Sequence, residues 1–410
     1  MVKQPPKGVN PSTVTQLRDD NPPTSSLASL AMSDVASTAG IKDIQMIAWR
    51  DLDDPEAGGS EVHAATIARI WSESGIGISM RTSSVRDRDA SRIFRDGYRV
   101  HRGSGRYSLF PQIAFEGLAK RLPTHDALVE IWNGMPFFSP LWSRKPSVVF
   151  LHHVHAEMWK LVLSNRLAKF GWFLEAKVAP KVYRNSRIIT LSQSSREEIV
   201  DLLGLSADQV SVVPPGVAPH FSPSHAKSAD PLILGVGRLV PVKRFDKLIE
   251  AVSKLKSRHP KLKCLIVGEG YERPALEAFV RQIGAMDWIS LPGRLDDAQL
   301  VDLYRSSWLL ASCSQREGWG MTITEAAACG TPAVVTDIAG HSDAVDVGKS
   351  GFLASDAEEF VAHMDSILSD ADLRSKLSDG AARHASRFSW EATARGAMEE
   401  LALEAIRNRS

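Results

Sequence analysis

Cysteine is scarce here: Cys264, Cys313 and Cys329 are the only three in 410 residues. Each lies in or beside a segment patterned as buried strand or helix, and their spacing fits neither a zinc site nor a disulfide framework. A reducing, cytoplasmic setting is therefore expected. No apolar run approaches the roughly 20 residues of a membrane helix, and the N-terminus lacks an apolar signal core. Excess charge of either sign is also missing. Lys plus Arg number 49 against 48 for Asp plus Glu, so electrostatics provide no case for a nucleic-acid partner. Nor is there an acidic pair framed for a divalent metal. Asp51-Leu52-Asp53 has the right spelling, but it sits in a loop with no strand around it and reads as a solvated charge run. No metal and no bound cofactor are expected.

What is present is alternation. Residues 1–40 are rich in Pro, Ser, Thr and Asn, a composition that cannot repay its ordering entropy, and are expected to be a disordered tail. From Ile41 onward, strand patterns such as "IKDIQMIAW", "IGISMRTSS", "DALVEIW", "PSVVFLHH" and "NSRIITLS" alternate with helical ones. "SSREEIVDLLG" carries a Ser cap and a glutamate three residues on. After a polar, proline-bearing linker at 218–230 the alternation restarts with "PLILGVGRL" and "LKCLIVGEG". Such runs mean parallel sheets with crossover helices. The expected fold is α/β, two doubly wound Rossmann-like domains (41–217 and 231–388) facing across a cleft. Residues 389–410 form a terminal helix. Ligands in such folds bind at the carboxyl ends of the strands.

Two glycine loops leave strands there, "AGGSE" (57–61) and "GVGRLVPVK" (235–243). Neither matches the dinucleotide fingerprint. The second offers Arg238 and Lys243, a bidentate fork and a point charge suited to a diphosphate. "SQREGWGMTITEAAACGTPAVV" (314–335) predicts a loop, a helix starting near Met321 and a buried strand. A helix start presents free N–H groups that favour an anion, yet Glu317 and Glu325 flank it. The two facts agree if the anion is the diphosphate of a sugar nucleotide. Carboxylates accept hydrogen bonds from paired hydroxyls, so the glutamates would hold the sugar and the ribose while the N–H groups of Gly318 to Thr322 face the phosphates.

"GVGRLVPVKRFDKLIEA", "LIVGEG", "REGWGMTITEAAACGTPAVVTDIAG", "RFSWEATA" and, in the first half, "AGGSEVHAATIAR" together resemble glycosyltransferase family 4, retaining enzymes of the GT-B fold. "EIWNGMPFFSPLW" with "FLHHVH" resembles a subset that modifies cell-surface glycans or lipids. The resemblance implies that Arg238 and Lys243 contact the donor diphosphate and that Glu317 contacts the transferred sugar. The backbone of Gly318, Trp319, Gly320 and Met321 would run along that sugar, and Thr322 would belong to the helix start near the phosphates. Glu325 would bind the ribose, and Leu295 would lie where the base is framed. Gly58, Gly59 and Ser60 would close on the phosphates from the other domain, and the terminal helix from Ser389 would cross back to the first domain. The implied activity moves a hexose from a UDP- or GDP-linked donor to a glycan, lipid or small-molecule acceptor by front-face attack, the leaving phosphate helping to remove the acceptor proton.

The chain departs from the pattern at Glu130-Ile131-Trp132-Asn133, where many relatives carry a histidine, and at Ala218, where relatives often have Asp or Asn. The acceptor-side candidates are Asn133, His153 and His155, although the histidines of "FLHHVH" also suit structural packing. His341 and Asp343 fit either a cleft role or a capped helix start. Residues 158–187 are basic and amphipathic, with Trp159, Leu163, Leu167, Phe170, Leu174 and Val178 at helical spacing. They read either as a core helix with a solvated basic face or as a peripheral contact with an anionic membrane on its inner face. Two other functions stay open at this point: a nucleotide-sugar hydrolase or epimerase of the same fold, and a non-catalytic nucleotide-sugar-binding protein.

Overall fold

The computed structural model describes residues 27, 29–84, 91–223 and 227–409. Two sheets organise it. The first holds β1 (Asp43–Ile47), β2 (Gly77–Thr82), β3 (Ser91–Arg95), β4 (Tyr98–Arg102), β5 (Ala127–Trp132), β6 (Ser147–Leu151), β7 (Arg187–Thr190) and β8 (Val210–Val212) in the order β3-β4-β2-β1-β5-β6-β7-β8. All its pairings are parallel except β3 with β4. The second holds β9 (Leu232–Val236), β10 (Lys263–Val267), β11 (Ile289–Gly293), β12 (Leu309–Ser312), β13 (Ala333–Thr336) and β14 (Gly351–Ala354) in the order β11-β10-β9-β12-β13-β14, wholly parallel. The central strands read as unbroken apolar runs because helices cover both faces. β5, for example, is buried at all six positions.

The terminal helix Trp390–Arg407 packs into the core of the first domain with Trp71, Ile67 and Phe150. Trp71 Nε1 donates to the Ala394 carbonyl at 2.8 Å, and Arg187 pairs with Glu400 at 2.6 Å.

Most of the expected disordered tail lies outside the described residues, but its last part is ordered. Met32–Thr38 is a helix that buries Val35 and Ala36 in the same core. Val35, Ala36 and Ala39 form a small apolar face, and packing repays the ordering cost that composition alone could not. The expected linker runs through 224–226, also outside the described residues.

Asp51 is not a solvated charge. It is 3% exposed and accepts from Arg102 Nε at 3.0 Å, Arg102 Nη2 at 2.7 Å and Arg95 Nη1 at 3.2 Å. Asp53 pairs with the same two arginines. Both arginines come from the β3–β4 hairpin, which turns at Asp96-Gly97 with φ of 44° and 87°.

The basic segment is not one helix. It runs as Trp159–Val162, Asn165–Phe173, a wide π turn at Leu174–Val178 and Ala179–Val182. These breaks scatter the expected apolar stripe. Trp159 is buried at 9% exposure, whereas Leu167 and Phe170 stand out at 54% and 57%.

Candidate active site

The loop carrying Glu317 follows β12. Lys243, at the end of a short helical turn after β9, bonds the Glu317 carboxylate, which also accepts from Ser314 Oγ at 2.8 Å. Burial pushes the Glu317 carboxyl up, but Lys243, His341 and Ser314 outweigh it and hold the group below the usual carboxylate range. It is therefore an anion at neutral pH, fixed beside a cation. Gly320 turns the chain at φ 99° into helix Met321–Ala328, whose start has no side-chain cap. Its first N–H groups are left for a ligand or water.

Glu325, on that helix, accepts from Tyr304 OH at 2.9 Å. Burial raises its carboxyl to about 7, with Tyr304 opposing and Asp297 adding to the rise. Leu295, after β11, packs on the apolar cluster that holds Tyr304 and Ile323. Thr322 is half-buried at the helix start. The Trp319 side chain does not face the cleft: it is 3% exposed, set edge-on to Phe388, and its Nε1 donates to Thr324 Oγ1 at 3.3 Å. Only its backbone is available to a ligand, because the ring fills the core under the loop.

The glycine loop of the first domain meets these residues directly. A Cβ at Gly58 would lie 3.2 Å from Arg238 Nε, and one at Gly59 would lie 3.3 Å from Met321 Sδ. Ser60 Oγ accepts from Asn133 Nδ2 at 2.9 Å, joining the loop to the end of β5. Arg238 donates to the Glu56 carbonyl at 3.3 Å across the domains. Burial, and next the nearby Arg50, lower the Arg238 pKa against the pull of Glu61, Glu317 and Glu56. Arg238, Lys243, Glu317, Gly58, Gly59, Ser60, Met321 and Asn133 thus converge on one cleft.

The opposite wall is built around two buried carboxylates that sequence reasoning did not single out. Glu130, inside β5, accepts from Phe137 N at 2.7 Å, Ser139 N at 3.2 Å, Ser139 Oγ at 2.5 Å and Tyr183 OH at 2.6 Å. It fixes the loop that follows Asn133. Glu175, in the π turn, accepts from His155 N at 2.8 Å, Ala156 N at 3.2 Å and Trp159 Nε1 at 2.8 Å. It fixes the loop carrying His153 and His155. The two imidazoles stack with centroids 5.1 Å apart. Burial lowers both, and Arg316 and Arg238 add to this in each case; His155 falls to about 4. Both rings are neutral at pH 7, and His153 Nε2 and His155 Nδ1 are buried without a partner among the described residues.

Two more residues cross the cleft. Arg316 donates to the Val154 carbonyl at 3.1 Å and pairs with Glu198. Asp343 accepts from Gln193 N at 3.0 Å and Ser194 N at 3.2 Å, so it caps helix Gln193–Leu203 of the other domain. A signal for Arg50 and Arg316 was present: one directly follows a strand end and the other directly precedes Glu317.

Two doubly wound sheets facing across a cleft, with Arg238 and Lys243 between them, define the GT-B class. Comparison with known proteins agrees. Residues 57–221 match the family model "Glycosyltransferase Family 4", and residues 219–384 match "Glycosyl transferases group 1". The chain is 28% identical to a D-inositol 3-phosphate glycosyltransferase of Stackebrandtia nassauensis over 388 residues, 83% of this chain and 85% of that one. It is 31% identical to the enzyme of the same name from Nocardia farcinica over 232 residues, 52% of this chain and about half (51%) of that relative's length. Solved structures of the same fold include sucrose-phosphate synthase from Thermosynechococcus elongatus, with a TM-score of 0.73, 20% identity and coverage of 86% and 96% of the two chains. Anabaena HepE in complex with UDP and glucose aligns with a TM-score of 0.68, 17% identity and coverage of 88% and 100%. The chain belongs to glycosyltransferase family 4, and it is a glycosyltransferase.

Proposed function

We propose that the enzyme is a retaining, metal-independent hexosyltransferase that uses a UDP-linked sugar and an acceptor hydroxyl on a phosphorylated polyol. The observation that carries this reading is the contact of Gly58 with Arg238 and of Gly59 with Met321. It closes a glycine loop over a guanidinium and a free helix start, and the Lys243 ammonium stands on Glu317 in the same cleft, the set a diphosphate leaving group needs. Charge develops on that diphosphate as the glycosidic bond breaks, and donors oriented beforehand stabilise it without reorganising. Glu317, an anion already held by Lys243, accepts from sugar hydroxyls, and Glu325 accepts from the ribose. Glu317 is engaged by Lys243 and Glu325 by Tyr304, so attack from the face of the leaving group is the chemistry we assign, the departing phosphate taking the acceptor proton. Preference for UDP over GDP rests on the UDP seen with HepE. The phosphorylated acceptor rests on the unpartnered His153 and His155 nitrogens in the field of Arg316 and Arg238, and on the inositol phosphate named for the relatives.

No described helix is long and apolar enough to cross a membrane. We further propose that helix Asn165–Phe173 touches an anionic bilayer from outside, because Leu167, Phe170 and Phe173 are each more than half exposed among Arg166, Lys169 and Lys177.

The test is release of UDP from UDP-glucose with D-inositol 3-phosphate, with inositol, and with neither. Release fastest with the phosphate ester, and a product of retained configuration, is expected. Equal rates with and without the phosphate group would overturn the acceptor assignment. An inverted product would overturn the stereochemistry.

A further inference from the structure

A cavity in the first domain shares no residue with the cleft. In β2 and β4, Ile78, Met80, Tyr98 and Val100 enter the core, so the alternate residues Ser79, Arg81, Arg99 and His101 face the other way. The register of β3 sets Phe94 opposite Arg99 and Arg92 opposite His101 on that face. A doubly wound sheet normally covers such a face with a helix. Here helix Leu109–Leu118 covers only one flank, and a cavity of about 980 Å³ remains beside Phe115 and Arg121.

Its charge is one-sided. Arg81 is satisfied by Glu116 at 3.0 Å and by the Thr82 and Gly103 carbonyls. Glu116 is the one acid among the lining residues. Arg92 and Arg99 make no ion pair among the described residues, and Arg121 only overlies the Phe115 ring at 5.4 Å. The walls are apolar: Phe94 is 72% and Phe115 56% exposed. At the floor, Gln45 is 1% exposed; its Nε2 donates to the Met46 carbonyl at 2.8 Å, but its Oε1 is buried with no partner.

We infer that this cavity binds an organic phosphate that carries an apolar portion and a hydroxyl, the chemistry of an anionic glycerophospholipid or a related phosphate amphiphile. Guanidiniums select phosphate by paired N–H donors. The aromatic walls take the apolar portion, and the orphaned Gln45 oxygen takes the hydroxyl. A purely polar anion would leave Phe94 and Phe115 uncovered, and a neutral lipid would leave the arginines unpaired.

The test is calorimetric titration of the full chain with monomeric dihexanoylphosphatidylglycerol, which carries the anionic phosphate, the apolar chains and a free hydroxyl. Saturable binding is expected, weakened about tenfold or more in R92E/R99E, in line with loss of charge-assisted contacts. Glycerol 3-phosphate and dihexanoylphosphatidylcholine isolate the headgroup charge and the chain, and each should bind about tenfold more weakly. Saturation absent, equal binding of glycerol 3-phosphate, or unchanged affinity in R92E/R99E would overturn the assignment. Thermal melting without ligand checks the fold of that variant, and R121E replaces it if it melts early. Titration with UDP is run in parallel, so failure of the donor site is read separately from failure of this one.

Discussion

The two walls of the cleft are built by different means. The wall proposed for the donor relies on pieces with local signatures, a glycine turn and an uncapped helix start, joined by the Lys243–Glu317 pair. The wall proposed for the acceptor relies on Glu130 and Glu175, two buried carboxylates that gather loop amides. One wall presents its charge to the ligand; the other spends its charge on holding its own shape. Substitutions should therefore cost turnover on the donor side and stability on the acceptor side.

The largest effect should come from Lys243→Ala. Removing a fixed charge from the leaving diphosphate should lower kcat about 10²- to 10³-fold, read as UDP release under saturating donor at a temperature where the variant is folded, because Glu317 also loses its cation and some stability goes with it. Glu130→Ala should do the reverse. It strands the Phe137 and Ser139 N–H groups and the Tyr183 hydroxyl, so unfolding free energy should fall by about 3 kcal/mol in urea titrations. UDP affinity measured in the folded protein should stay within about twofold. If Glu130→Ala lost UDP affinity instead, the two walls would not be separable.

The next effect is graded by pH. The Glu325 carboxyl sits at about 7, so it is increasingly protonated, and a poorer acceptor for ribose hydroxyls, as pH falls through that value. Binding that favours the ionised form should strengthen from pH 6 to pH 8 by up to about tenfold. Glu325→Gln should flatten the profile, and a profile unchanged in that variant would remove Glu325 from the ribose site. Asp343→Ala should have the smallest effect, about 1 kcal/mol of stability for a lost helix cap, together with a more open average separation of the domains in small-angle scattering.

This contrast also explains what could be read from the chain. The wall proposed for the donor was legible because its parts lie in two short stretches, 238–243 and 314–325, and each has a local signature. The acceptor wall was not, since Glu130 is written inside a strand pattern and Glu175 inside an amphipathic one, and their partners lie up to 53 residues away. The β3–β4 hairpin escaped notice for a similar reason. Its alternation is broken by arginines whose partners, Asp51 and Asp53, are over 40 residues off. Asp96-Gly97 was the available signal, since that dipeptide suits a two-residue hairpin turn. The helix Met32–Thr38 was obscured by the composition around it, and its small apolar face gains meaning only against the terminal helix that arrives from the far end of the chain.

The Asp343 cap carries one more consequence. The amides of Gln193 and Ser194 are protected by a carboxylate that belongs to the other domain. When the domains part, these two protons face water while the Ser195 amide keeps its own cap from Ser192. Their hydrogen-exchange rates, set against that of Ser195, form a built-in stopwatch for the breathing of the enzyme, and a bound donor should slow the two and leave the third unchanged.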